Sequence, residues 1–141
     1  MPRMLAHTFA ILTALGTTVS SGAQSDPGPT SKWEAPADAS AQANPVAPSP
    51  EVLAEGKALY QRNCQLCHGA SGRGDGPATQ YVKPAPADIS AAEAQAALTD
   101  GGIFWKLTTG REPMPPFGKK LSERERWVLV HYVRSLTVDG S

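Results

Sequence analysis

Residues 62–77 read RNCQLCHGASGRGDGP and hold both cysteines of the chain, Cys64 and Cys67, with His68 directly after the second. Three chemistries use a Cys-x-x-Cys-His of this spacing: a redox dithiol, half of a zinc site, and covalent attachment of haem. A thioredoxin-like dithiol sits between a strand and a helix. Here the preceding segment has helical character and the chain offers no strand pattern. A structural zinc site needs four ligands; beyond the leader the chain supplies Cys64, Cys67, His68 and His131, with Cys67 and His68 awkwardly adjacent and His131 alone on a helix. Haem uses the same atoms better. Cys64 and Cys67 add across the two vinyl groups as thioethers, and His68 becomes the proximal ligand of the iron.

A haem in turn asks for a sixth ligand. Of three methionines, Met1 and Met4 fall in the leader and Met114 remains. It lies in REPMPPFG, residues 111–118, where Pro113, Pro115 and Pro116 forbid regular structure and stiffen the loop. A thioether is soft enough for iron. The plainer role for such a residue is to fill a gap in the core, but a single methionine in a proline-locked loop downstream of a haem motif favours ligation. His131 is the weaker candidate.

The chain has 141 residues, with 13 Lys plus Arg against 13 Asp plus Glu. A balanced charge gives no indication of nucleic acid or an anionic membrane surface as partner. Residues 1–23 read as an export signal: Arg3, an apolar run over 8–19, then SSGA with Ser21 and Ala23 at the minus-three and minus-one positions, so cleavage is expected after Ala23. The apolar run is short of the roughly 20 residues that span a bilayer, so no stable membrane insertion is expected, and the protein is expected in the periplasm. An uncleaved signal that tethers the protein to the membrane is the alternative. Residues 24–50 are rich in alanine, proline and serine without apolar period, which predicts a disordered linker with Trp33 as a lone exposed aromatic. Residues 51–138 form the domain and 139–141 a tail. At about 90 residues such a domain is marginal unless a bound group adds stability.

Within the domain, Ser49 and Pro50 open a helix carrying Val52, Leu59 and Tyr60 on one stripe. Gly56 on that face predicts close approach of another helix, since glycine costs about 1 kcal/mol in a helix interior. Residues 69–86, rich in Gly and Pro, are a long loop. Ser90 with Glu93 predicts a capping box for a short helix closed by Gly101 and Gly102. IFWKLTT, residues 103–109, is a second short helix ending at Gly110. Ser122 with Glu125 caps the last helix, where Leu129, Tyr132, Val133 and Leu136 repeat at helical spacing. The fold class is all-α.

Residues 51–138 resemble a class I c-type cytochrome, the small bacterial monohaem type that also occurs as domains of respiratory oxidase subunits. The matching stretches are GKALYQRNCQLCHGASGRGDGPA, PAPADIS, FWKLTTGREPMPPFG and LSERERWVLVHYVRSL. The resemblance implies four to five helices wrapped around one covalent haem c, with the first and last helices crossing so that Gly56 and Tyr60 face residues 127–132. It also implies that the carbonyl of Pro77 accepts a hydrogen bond from the second ring nitrogen of His68, and that Trp105 and Arg111 contact the haem propionates. Ordinary packing and a solvated charge are the alternative roles of those two. The implied function is single-electron transfer with His68 and Met114 as axial ligands, not enzymatic catalysis. Redox proteins are the donor and acceptor, and the carrier is a monomer when free. A non-catalytic haem subunit docked in a dehydrogenase or oxidase is an alternative. A haem enzyme or gas sensor fits less well, because Met114 would close the distal position. Arg111, Lys119, Lys120, Arg124 and Arg126 form a basic group expected near the haem edge, where it either steers an acidic partner or is a solvated face interleaved with Glu112, Glu123 and Glu125.

Overall fold

The computed structural model describes residues 33–137. The expected export signal (residues 1–23), residues 24–32 of the expected linker, the last residue of the expected domain and the 139–141 tail lie outside the described residues. In order come α1 (Ala37–Ser40), α2 (Pro50–Asn63), α3 (Gln65–His68), a 3-10 turn (Thr79–Tyr81), α4 (Ala92–Ala96), α5 (Asp100–Thr109) and α6 (Glu123–Ser135). Among the described residues extended pairing is limited to an isolated bridge between Arg111 and Met114.

The helix ends follow local chemistry. The hydroxyl of Ser49 accepts from the Val52 amide with Pro50 at the first helical position, and Ser122 and Glu125 form the complete reciprocal box that opens α6. The Ser90–Glu93 box does not form. Asp88, two residues earlier, accepts from the amide and hydroxyl of Ser90 and from the amide of Ala91, and α4 begins without a side-chain cap. A carboxylate accepts more strongly than a hydroxyl, so the Asx turn wins. Gly101 and Gly102 likewise do not close α4. They lie in the first turn of α5, capped by the Thr99 hydroxyl.

The core is built where α2 crosses α6. A Cβ added to Gly56 would lie 2.8 Å from the Tyr132 Cβ and 2.9 Å from the Val128 carbonyl oxygen, so the crossing requires glycine. Next to it the Tyr60 and Tyr132 rings sit 5.2 Å apart, and the buried Tyr60 hydroxyl donates to the Gly69 carbonyl at 2.8 Å. Leu59, Ile103, Leu107, Phe117 and Trp127 complete the apolar cluster around this crossing, and Phe104 stacks on Trp127 at 4.0 Å. Arg134 ties α4 and α5 to α6 by donating to the Asp100 carboxylate and to the carbonyls of Gln95 and Leu98.

Residues 33–49 are a packed strap, which corrects the expectation of a disordered linker over that part. Val128, Leu129 and Val130 are 0% exposed, and the strap contributes to that cover: the Asn44 side-chain amide donates to the Trp127 carbonyl (3.0 Å), the Val46 carbonyl meets His131 Nε2 (2.7 Å), and Val46 itself packs on the core. At the other end Ala39 is buried, its carbonyl against Gly101, where any Cβ would collide with it. That close approach is what the glycine serves.

Candidate haem-binding site

Cys64 is both the last cap of α2 and the first of α3. Its amide donates to the Tyr60 carbonyl at 2.8 Å, and its own carbonyl accepts from the amides of Cys67 (3.1 Å) and His68 (2.9 Å). One turn of helix thus places Cys64, Cys67 and His68 at i, i+3 and i+4, on a single face. The loop that follows locks this turn. The carbonyls of Leu66, Cys67 and His68 accept from the amides of Ala78, Gly76 and Gly74, and the Thr79 hydroxyl donates to the Cys67 and Gly74 carbonyls.

Burial acts on the site's two titratable partners in opposite directions. It pushes the Cys64 thiol up to about 12, with the nearby Cys67 adding to the rise and Lys120 opposing it. A dithiol oxidoreductase needs the reverse at its attacking sulfur, a thiol brought down toward neutrality. Burial pushes His68 below its ordinary value, the Ala87 carbonyl opposing, and the imidazole is held neutral. Neutral imidazole is the ligating form. Among the described residues no three His, Cys, Asp or Glu side chains converge as a metal-ion site.

The expected partner of His68 is corrected. Its Nδ1 is buried without a hydrogen bond, and the Pro77 carbonyl accepts instead from Gln80 Nε2 at 3.3 Å. Pro77 follows directly after Gly76, whose amide is bound to Cys67, and that short tether turns its carbonyl toward the 3-10 turn.

Met114 sits in a tight turn closed by reciprocal bonds, Arg111 amide to Met114 carbonyl (3.0 Å) and Met114 amide to Arg111 carbonyl (2.8 Å). The Phe117 amide donates to the Leu107 carbonyl and the Gly118 amide to that of Thr108, which fastens the turn to the end of α5. Met114 packs against the same apolar cluster that contains Cys64. Sequence positions 50 residues apart therefore meet in one core.

Trp105 is half-buried on α5, with its ring 6.4 Å from that of Trp33. The Arg111 guanidinium lies 5.2 Å and the Lys106 ammonium 5.0 Å from the Trp33 centroid. Burial lowers the Lys106 pKa and the Arg111 charge lowers it further, while Glu34 opposes both. Trp33 was expected to be a lone exposed aromatic; it is the common neighbour of two residues singled out in the sequence. Of the basic group, Arg124 is paired with Glu55 at 2.7 Å. Arg126 is only 9% exposed, with its guanidinium over the Phe104 ring at 4.9 Å. Lys119 and Lys120 remain as exposed charges of that surface.

Two thiols and a neutral imidazole on one helical face, a buried Nδ1 with no partner, and a soft sulfur on the same core suit a covalently attached haem. Residues 51–133 match the family described as Cytochrome C oxidase, cbb3-type, subunit III. The chain belongs to this family, as a class I c-type cytochrome. Such a cytochrome carries covalently bound haem c and transfers electrons. A comparison with curated protein sequences gives no match. Among solved structures, the cytochrome is similar to a chain of the Kuenenia stuttgartiensis reducing HAO-like protein complex Kustc0457/Kustc0458, at 33% identity and TM-score 0.59, over 67% of this chain and 47% of that one. It thus spans about half the length of that relative. It is also similar to the KustC0563 c-type cytochrome, at 30% identity and TM-score 0.53, over 59% of this chain and 98% of that one.

Proposed function

We propose that the protein is an exported carrier of single electrons, with haem c joined through Cys64 and Cys67 and ligated by His68 and Met114. The observation that carries this reading is the single turn of helix that sets both thiols and a neutral imidazole on one face. When bound, the haem supplies a one-electron ferric–ferrous couple. The chain does the rest. Cys64, held by the Tyr60 carbonyl, fixes the attachment point to the end of α2, and the loop that saturates the carbonyls of α3 keeps the His68 backbone from moving. The Arg111–Met114 turn holds the thioether on a stiff support, so that little reorganisation accompanies a change of charge. In this reading Trp105 and Arg111 meet the propionates. The leader delivers the protein to the periplasm, where redox proteins load and unload it.

Denaturing electrophoresis with haem staining tests attachment: colour is expected to migrate with the wild-type chain and to be lost from the double variant Cys64→Ala, Cys67→Ala. Haem that leaves intact wild-type protein on acid extraction would refute it. A second reading, a non-catalytic haem subunit held in a larger redox complex, is favoured by the relative solved within such a complex. Copurification of a redox enzyme at fixed stoichiometry would select it over a freely diffusing carrier.

A further inference from the structure

We propose that Thr79 is a positioning residue for His68, whose hydroxyl fixes the orientation in which the imidazole meets the haem iron. The inference rests on the reading above, that His68 is an axial ligand.

The ring has little of its own to orient it. Nδ1 of His68 is buried and makes no hydrogen bond, so the direction of the ring is inherited from the backbone of α3. That helix is a single turn, Gln65–His68, and it is held in shape by the loop that follows. The carbonyls of Leu66, Cys67 and His68 accept from the amides of Ala78, Gly76 and Gly74 at 2.9, 3.1 and 2.9 Å. A Cβ on Gly76 would collide with the Leu66 and Cys67 carbonyls, so backbone lies directly on backbone here.

Thr79, at the start of the 3-10 turn, supplies the one side-chain donor in this set among the described residues. Its hydroxyl oxygen stands 3.0 Å from the Cys67 carbonyl oxygen and 2.8 Å from that of Gly74, with one proton shared between the two acceptors. The Cys67 carbonyl belongs to the peptide that enters His68, and the Gly74 amide holds the carbonyl of the peptide that leaves it. A single hydroxyl thus braces both peptides that flank the ligand. Among the described residues the Gly74 carbonyl has no other donor, so nothing takes the place of Thr79 when the hydroxyl is removed. Groups that fix a ligand's support in this way set the angle at which its ring is presented. Without the brace the imidazole plane spreads over a range of angles.

The test uses the holoprotein. The electron paramagnetic resonance g-values of low-spin ferric haem depend on the orientation of the axial ligand planes, and amide hydrogen exchange reads the opening of the loop. Thr79→Val keeps the branched shape and removes the hydroxyl. It is expected to shift or broaden the low-spin signal and to speed exchange of the Gly74 amide about two- to tenfold, the loss of one hydrogen bond. Thr79→Ala, a smaller deletion, is expected to do the same, and Thr79→Ser, which restores the hydroxyl, to match wild type in both measurements. Ser49→Ala removes the cap of α2 and is expected to lower Tm without moving the g-values. Unchanged g-values in both deletion variants, a departure of Thr79→Ser as large as theirs, or an equal shift in Ser49→Ala would overturn the proposal and leave His68 as ligand. If His68→Ala keeps the wild-type spectrum, the ligation reading fails, and the proposal with it.

Discussion

Gly56→Ala tests the crossing that positions the whole site. The added methyl would stand 2.8 Å from the Tyr132 Cβ and 2.9 Å from the Val128 carbonyl oxygen. Neither atom can swing aside, because both are fixed to the backbone of α6. Relief must come from α2 and α6 moving apart by most of an ångström, which loosens the Tyr60–Tyr132 packing at 5.2 Å. Two terms oppose each other. Alanine gains about 1 kcal/mol of helix propensity over glycine, while overpacking of a close-packed core costs about 1–3 kcal/mol. Here the rigid obstacles put the cost at the upper end, for a net loss of about 1–2 kcal/mol. In a domain of this size that lowers Tm by roughly 4–16 °C. Thermal unfolding of the holoprotein, followed by circular dichroism, reads it. A variant as stable as wild type, or more so, would mean that propensity outweighs packing and that the helices do not need glycine to meet.

Met114→Ala is expected to keep the haem attached, to lower the midpoint potential and to let carbon monoxide bind the reduced iron; loss of the weak near-infrared sulfur-to-iron band marks the missing ligand, and its retention would assign ligation elsewhere. Asp88 has its carboxyl held below the ordinary value of 3.8 by the Ser90 hydroxyl and amide. A lowered folded pKa gives stability that is present above the unfolded value and lost as pH falls through the folded one, so Asp88→Ala is expected to destabilise the protein at neutral pH, with the difference from wild type shrinking as pH falls below the ordinary carboxylate range. A constant difference across that range would show that the carboxylate charge is irrelevant. Lys119→Glu with Lys120→Glu is expected to slow electron transfer to an acidic partner at low salt and to leave the visible spectrum intact, the difference vanishing as the Debye length falls below about 10 Å above 0.1 M salt; a rate indifferent to both changes points to apolar recognition around Pro115, Pro116 and Phe117.

The elements that sequence discloses are those whose signals are local. Ser49–Pro50 and Ser122–Glu125 announce helix starts within four residues, and Gly56 on an apolar stripe announces a close crossing even though its partners lie on α6. Cys64, Cys67 and His68 are legible because one helical turn suffices to assemble them. The strap is illegible for the opposite reason. Its anchors, Asn44 on the Trp127 carbonyl and Val46 on His131, join positions 83 and 85 residues apart through single polar contacts, and an alanine–proline composition leaves no periodicity to notice. Trp33 accordingly reads as isolated until α5 is in place beside it. Arg126 misleads in another way: surrounded by charge in sequence, it is buried because the flat Phe104 ring offers its guanidinium a face. At Ser90 two capping chemistries compete within three residues, and only the geometry of Asp88 decides between them.

The electrostatics of the haem site bear on what kind of chemistry it performs. Burial raises the Cys64 thiol to about 12 and lowers His68, and each shift leaves its group uncharged at neutral pH. An uncharged thiol is a poor nucleophile toward disulfides, and an uncharged imidazole is the form that ligates a metal. The Nδ1 of His68 is buried and has no hydrogen-bond partner. A buried nitrogen without a hydrogen bond costs about 1–3 kcal/mol, a sizeable fraction of the roughly 5–15 kcal/mol that stabilises a domain. Bonding of His68 to a haem iron would use the other ring nitrogen, and thioether formation would remove the buried thiols, so cofactor attachment acts on the same few buried atoms.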